Sequence, residues 1–135
     1  INYKKMKVKL HHFAYNIKPN SLELVLELFE QLGCTLFYRK ENARWCMIKQ
    51  KQVQISIQII ETQDQSIPIK KKINTHLAFL SKNPQEDIEK IKQWSEDKNI
   101  KFRQGGWSDK ELWFDFPDLF VNFVIEIMHT SIVKS

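Results

Sequence analysis

The sequence has 135 residues, 42% of them hydrophobic and 27% charged, which is ordinary for one globular domain and argues against a long disordered chain. No apolar run reaches the roughly 20 residues that a membrane-spanning helix needs, and no apolar signal segment opens the chain, so we expect a cytoplasmic protein without a membrane partner. The net charge is +5, but the one dense basic run, Lys70–Lys72, lacks interleaved aromatic residues. That run argues against a nucleic-acid partner and favours a solvated connector.

The first half of the chain predicts a strand, a helix and three further strands. Alternating residues indicate a strand over Leu10–Ile17. An amphipathic helix follows, which Asn20 or Ser21 can cap and Gly33 can close. The three strand-like runs after it are Thr35–Lys40, Arg44–Lys49 and Val53–Ile60.

The second half predicts the same order of elements. A strand over Thr75–Leu80 comes first, and a helix begins after Asn83, where Glu86 completes a capping box. The later strand candidates are Ile100–Gln104, Glu111–Phe116 and Val121–Met128. Between the first two of these, the pair Gly105-Gly106 predicts a turn or a bulge rather than a phosphate-binding loop, because no helix follows it.

The two halves also repeat in sequence. His12-Phe-Ala-Tyr matches His76-Leu-Ala-Phe, and the runs 53–60 and 121–128 align without a gap, which places Gln58 on Glu126. The offsets are 76 − 12 = 64 and 126 − 58 = 68, so a duplication of about 65 residues accounts for the chain. We therefore predict one α+β domain over residues 1–135, built from two tandem βαβββ modules at about 8–61 and 74–129.

Four residues of metal-ligand type fall on the small, polar faces of the predicted strands, opposite the apolar faces. They are His12, Gln58, His76 and Glu126. A lone histidine on a strand is more often a satisfied interior residue, but an unpaired carboxylate inside an apolar run is costly. Two imidazoles, an amide oxygen and a carboxylate can together hold one divalent ion, such as Zn, Co, Ni, Mn or Fe, with coordination positions left open. We therefore predict a metal site.

Other polar and aromatic residues are weaker candidates. His11 is expected to point away from His12, because neighbouring residues of a strand alternate between faces. Trp107 and Trp113 can wall a pocket, but a role in the core or in a dimer interface is an equally good interpretation.

The residues that carry the repeat resemble the vicinal oxygen chelate superfamily. That superfamily includes glyoxalase I, extradiol dioxygenases, fosfomycin- and bleomycin-resistance proteins and methylmalonyl-CoA epimerase. The resemblance covers about residues 9–129 and rests on His12-x-Ala, the helix end Phe29–Gly33, His76-Leu-Ala-Phe and the closing stretch Phe114–Glu126. It implies paired modules that form a curved mixed sheet around a metal-binding cleft, with one ligand on each of the first, fourth, fifth and eighth strands. It also implies a homodimer.

Within the superfamily, the epimerase is the most similar member. Its ligand order is His, Gln, His, Glu, as in this chain, and its glutamine lies in a stretch that resembles Gln58–Glu61. It also has a long loop before the last strand, although Phe116–Asp118 stands where the epimerase has His-Pro-Lys. The resemblance implies a small-molecule substrate of the thioester or thiol-adduct type, with Glu126 or Glu41 moving the proton.

The leading functional hypothesis is a metal-dependent isomerase or epimerase that moves a proton next to a carbonyl through an enolate. A glyoxalase I-type lactoylglutathione lyase is the close alternative, because that reaction passes through a related intermediate. An extradiol-type dioxygenase ranks lower, since Gln58 would crowd a site that must bind both oxygen and a catechol. The rival from another class is a non-catalytic binding protein of the bleomycin-resistance kind, which needs no ligand quartet.

Overall fold

Each half of the chain forms its own four-stranded sheet in a computed structural model, which describes residues 3–133. The strands are β1 His12–Ile17, β2 Cys34–Tyr38, β3 Trp45–Gln50, β4 Ser56–Glu61, β5 His76–Ser81, β6 Arg103–Ser108, β7 Glu111–Asp115 and β8 Val124–His129. The helices are α1 Leu22–Gln31, α2 Ile69–Lys72 and α3 Pro84–Asp97, with a 3-10 turn at Thr130–Ile132. The sheet orders are β1-β4-β3-β2 and β5-β8-β7-β6, which confirms the predicted α+β fold of two βαβββ modules.

The two sheets repeat each other in register as well as in order. β1 and β4 are parallel, with Ala14 opposite Gln58, and β5 and β8 are parallel, with Ala78 opposite Glu126. The histidine two residues before each alanine lies on the same face as that alanine, because side chains alternate along a strand. Each module therefore places one histidine and one further candidate ligand on the same face of two neighbouring strands.

The sixth strand differs from its prediction. The pattern indicated a strand over Ile100–Gln104, but β6 runs from Arg103 to Ser108 and includes Gly105 and Gly106. The predicted irregularity is confirmed as a bulge, since the pairing with β7 shifts register between Gly106 and Ser108. Both glycines keep their partners in β7, and the bulged residue is Trp107.

The two long helices begin with different caps. At α1, Ser21 occupies the cap position without a side-chain cap bond, and Glu61 from β4 accepts a hydrogen bond from Leu22 N at 3.0 Å instead. At α3, the predicted cap is confirmed, because the Asn83 side chain accepts from Glu86 N at 3.3 Å. The return bond of the predicted capping box differs: the Glu86 carboxylate accepts from the side-chain amide of Asn83 at 2.9 Å, while the backbone N–H of Asn83 donates to Ser81. One helix start is thus fixed by a local motif and the other by a neighbouring strand.

The modules share one hydrophobic core, formed by the apolar faces of both sheets and by α1 and α3. Phe29 of α1 packs against Phe79 of β5, with ring centroids 6.3 Å apart. Trp94 of α3 donates to Glu27 of α1 at 3.1 Å. Because the apolar faces turn towards this core, the opposite faces, which carry the candidate ligands, have exposed alanines. None of the helices within residues 3–133 is long and apolar enough to cross a membrane.

Candidate metal centre

In the second module, His76 and Glu126 form a pair. The Nε2 atom of His76 lies 3.4 Å from an oxygen of the Glu126 carboxylate. The Nδ1 atom of the same ring lies 3.0 Å from the carbonyl oxygen of Ile73, in the segment that joins α2 to β5. A carbonyl oxygen only accepts, so Nδ1 carries the hydrogen and Nε2 keeps its lone pair in the neutral ring. This arrangement, with one ring nitrogen hydrogen-bonded and the other free, is typical of a metal-binding histidine.

Glu126 is a buried carboxyl group, with 5% of its surface exposed. Burial raises its pKa above the ordinary value, Glu111 adds to that effect by repulsion, and His76 opposes it. A buried carboxylate with so little positive charge beside it is unfavourable in its ionised form. A bound cation would supply the missing charge, so the group fits a metal-ligand role.

Two indole rings border this pair. The ring of Trp107 packs on the ring of His76, with centroids 5.1 Å apart, and Trp107 lies in the β6 bulge. Bulges commonly re-aim a side chain beside a functional site. Trp113 lies directly opposite Glu126 in the β7–β8 pairing, and its indole covers Gly105 so closely that a β-carbon there would collide with it. The second half-site therefore has an aromatic wall.

The first module holds the corresponding half-site. His12 and Gln58 lie on the same face of β1 and β4, in the register described above. The Nδ1 atom of His12 lies 2.9 Å from Nδ1 of His11, so one of these two rings donates to the other. Where His12 is the donor, its Nε2 keeps the lone pair in the neutral ring, as in His76. The expectation that His11 points away from His12 is wrong. β1 begins at His12, so strand alternation does not extend to His11.

The two half-sites stay separate within one chain. Among residues 3–133, no three His, Cys, Asp or Glu side chains come close enough to hold a metal ion. An apolar cavity of about 410 Å³ lies between the modules, lined by residues such as Phe13, Ile57 and Leu77, and none of the four candidate ligands forms part of its wall. Each chain thus supplies two pairs of candidate ligands rather than one group of four.

Glu41 lies in the turn between β2 and β3 and is exposed to solvent. No hydrogen bond or ion pair among the described residues joins it to His76 or Glu126. Its predicted catalytic role stays a prediction.

The second module also contains a cluster of charged residues that the sequence did not indicate. Lys72, the last residue of α2, places its ammonium 2.8 Å from one oxygen of Asp115, and both side chains are fully buried. The Nε atom of Arg103 donates to the other oxygen at 2.8 Å. Lys70 and Lys71 are exposed as expected, but the interpretation of the whole basic run as a solvated connector is wrong for Lys72. The sequence signal was faint: a basic run ending shortly before a candidate ligand.

Comparisons with known proteins agree with this fold. No protein-family model matches the chain, and no curated protein matches it significantly. Solved structures do. A Bacillus halodurans protein assigned to the glyoxalases is similar at 16% identity with a TM-score of 0.59, over 91% of this chain and 96% of that one. A mutant of the fosfomycin resistance protein FosX from Listeria monocytogenes, in a complex with Mn(II), is similar at 13% identity with a TM-score of 0.56, over 92% of this chain and 93% of that one.

A third similar structure is TnmS3, an antibiotic-binding protein from Streptomyces sp. CB03234, at 13% identity with a TM-score of 0.57, over 93% of this chain and 98% of that one. At these identities the likeness establishes the fold and no activity. The chain therefore shares its fold with these proteins, and that fold is the one that the sequence resemblance implied.

Proposed function

We propose that this chain is a metal-dependent isomerase or lyase whose metal site is completed by a second copy of the chain. The observation that carries the proposal is the matched pair of half-sites. Each has a histidine whose Nδ1 is hydrogen-bonded and a second ligand at the same register position. Two such halves, brought together, provide two imidazole nitrogens, an amide oxygen and a carboxylate, which suits a divalent transition metal.

The second copy is required because the halves do not meet within one chain. In the arrangement we propose, His12 and Gln58 of one chain face His76 and Glu126 of the other. Exposed aromatic side chains in both modules support such a contact, since Phe37 and Tyr38 of β2 are 47% and 50% exposed and Trp107, which packs on His76, is 45% exposed. Aromatic residues are enriched in the buried centres of protein interfaces.

The chemistry follows from the ligand set. A bound divalent ion would supply Lewis-acid polarisation of a substrate carbonyl or carboxylate oxygen. Glu126 is the candidate proton carrier, because a carboxylate at the proposed metal can take a proton from a bound substrate and return it. Glu41 is the second candidate. The substrate class we propose is a small molecule with an acidic C–H next to a carbonyl, such as a thioester or a thiol adduct.

An extradiol-type dioxygenase is the second enzymatic candidate, because two histidines and one carboxylate form the facial triad of non-haem Fe(II) enzymes. The non-catalytic candidate is a ligand-binding protein, and the structural similarity to an antibiotic-binding protein keeps it in view. Metal content separates the binding protein from the two enzymes, because a binding protein of this kind needs no metal.

The first experiment is metal analysis by plasma mass spectrometry, on protein purified without a metal-chelating column and dialysed. We expect close to one metal ion per chain in the wild type and a loss in His76→Ala. His129→Ala is the matched control, because that ring bonds to Ser131 at 2.7 Å and belongs to neither half-site. If the protein takes up none of Zn, Co, Ni, Mn or Fe, the enzyme proposal is rejected and the ligand-binding protein is favoured.

A second experiment tests the shared site. We expect co-expressed His12→Ala and His76→Ala chains, isolated as a heterodimer through two different tags, to recover one intact site of two. The two variants alone should bind no metal. A site formed within one chain predicts that the heterodimer binds no metal, because each of its two chains would then carry a damaged site.

A further inference from the structure

The buried charged residues of the second module form one connected group. We name Lys72, Asp115 and Arg103 the clip. Lys72 and Asp115 have no exposed side-chain surface, and the ammonium and the near carboxylate oxygen have no well-aligned hydrogen-bond partner among the described residues. Their 2.8 Å contact is therefore an ion pair of imperfect geometry. Taking two charges out of water in this way gains little stability, because desolvation offsets the attraction.

The clip holds a short piece of backbone. α2 has four residues and is too short to be stable by itself. Its last residue, Lys72, is tied to β7 through Asp115, and Thr75 N bonds back to Lys72 O at 3.1 Å. On the other side, Thr75 O accepts from Val124 N at 3.0 Å at the start of β8. Ile73, whose carbonyl bonds to Nδ1 of His76, lies between these two attachments.

We propose that Lys72 is a positioning residue for His76. Through its ion pair with Asp115 it fixes the Ile73 carbonyl, and that carbonyl fixes the tautomer and direction of the His76 ring, so that Nε2 faces Glu126. This inference rests on the proposed function in one respect, the role of His76 as a metal ligand. Arg103 contributes by holding the second oxygen of Asp115, at 2.8 Å.

The weak contribution of a buried ion pair to stability makes the idea testable. Replacing both charged partners by uncharged groups of similar volume is commonly neutral or stabilising. If the clip contributed only to stability, its replacement in this way should leave the His76 ring unchanged. A clip that positions His76 should instead change the histidine while the protein stays folded.

The test compares Lys72→Met/Asp115→Asn with Lys71→Met, which removes an exposed lysine from the same helix turn. In metal-free protein, long-range ¹H–¹⁵N spectra report the tautomer of His76, identified by its loss in His76→Ala. We expect hydrogen on Nδ1 in the wild type and in the control, and a mixed or Nε2-protonated ring in the double variant. Zinc affinity should fall about tenfold to a hundredfold, the range for outer-shell partners of metal-binding histidines.

An unchanged tautomer in the folded double variant would overturn the proposal, as would an equal effect from Lys71→Met. Should the double variant not fold, Lys72→Met alone is measured by the same two criteria, because Asp115 then keeps its pair with Arg103. The two proposals fail separately. A tautomer shift in a protein that binds no zinc would keep the positioning role and reject the metal site, whereas zinc bound equally by wild type and double variant would reject the positioning role only.

Discussion

The two modules have the same backbone plan but differ in the side chains around their half-sites. In the first, the row across the sheet from β1 to β2 is Ala14, Gln58, Met47 and Tyr38. In the second, the corresponding row from β5 to β6 is Ala78, Glu126, Trp113 and Gly105. Both modules keep the small alanine beside the ligand, but only the second carries a charge. The duplication thus preserved the geometry of the half-site while its chemistry diverged.

The histidines differ in the same sense. His76 is oriented by a backbone carbonyl, which accepts a hydrogen bond at any pH. His12 is oriented by His11, an exposed side chain that lies outside the strand. The second half-site is therefore the more preorganised of the two.

The largest expected effect is on metal affinity. Glu126→Gln gives both modules the same amide ligand and removes the only negative charge of the proposed set. We expect zinc affinity, measured by calorimetry, to fall by about a hundredfold or more, beyond what outer-shell changes cause. Gln58→Glu, the reverse exchange in the first module, should retain binding. Equal affinity for wild type and Glu126→Gln would mean that the asymmetry has no bearing on a metal.

Glu126→Gln should lower metal affinity but increase the stability of the metal-free protein. Burial raises the pKa of Glu126 in the folded state above its usual 4.5, so folding disfavours the ionised form. That penalty is complete above the folded-state pKa and disappears as the pH falls below the unfolded-state value. In urea denaturation with a chelator present, Glu126→Gln should therefore be more stable than wild type at pH 8, and the difference should close towards pH 4. A gap that stays constant with pH would show that the carboxyl does not carry the penalty.

A third effect concerns packing. Gly105 lies under the indole of Trp113, whereas the matching position in the first module holds a full tyrosine, Tyr38. Gly105→Ala should destabilise the protein by about 1–3 kcal/mol, the usual range for overpacking. Trp113→Leu in the same chain should recover part of the loss. Additive losses in the double variant would indicate that the two residues do not compete for one space.

Much of the fold followed from local sequence. The repeat was visible because the alanine motif and the ligand run recur, and Gly33, with φ of +85°, ends α1 as its residue type predicts. What the sequence hid are contacts between distant segments. The burial of Lys72 depends on Asp115 in β7, and the orientation of His76 depends on the backbone carbonyl of Ile73, which no residue type announces.

The smallest expected effects are at the helix caps, which also differ between the two modules. Asn83→Ala removes a local cap from α3 and should cost about 1 kcal/mol in urea denaturation. Glu61→Ala should cost more, because its carboxylate caps α1 and also holds Arg44 at 2.6 Å. Glu61 thus joins β4 to the start of α1 and to the residue before β3, and its loss acts on all three. Equal costs would mean that the ion pair adds nothing to the cap, as many surface pairs do not. A larger cost at Glu61 would show that the first module relies on contacts between elements where the second relies on local sequence.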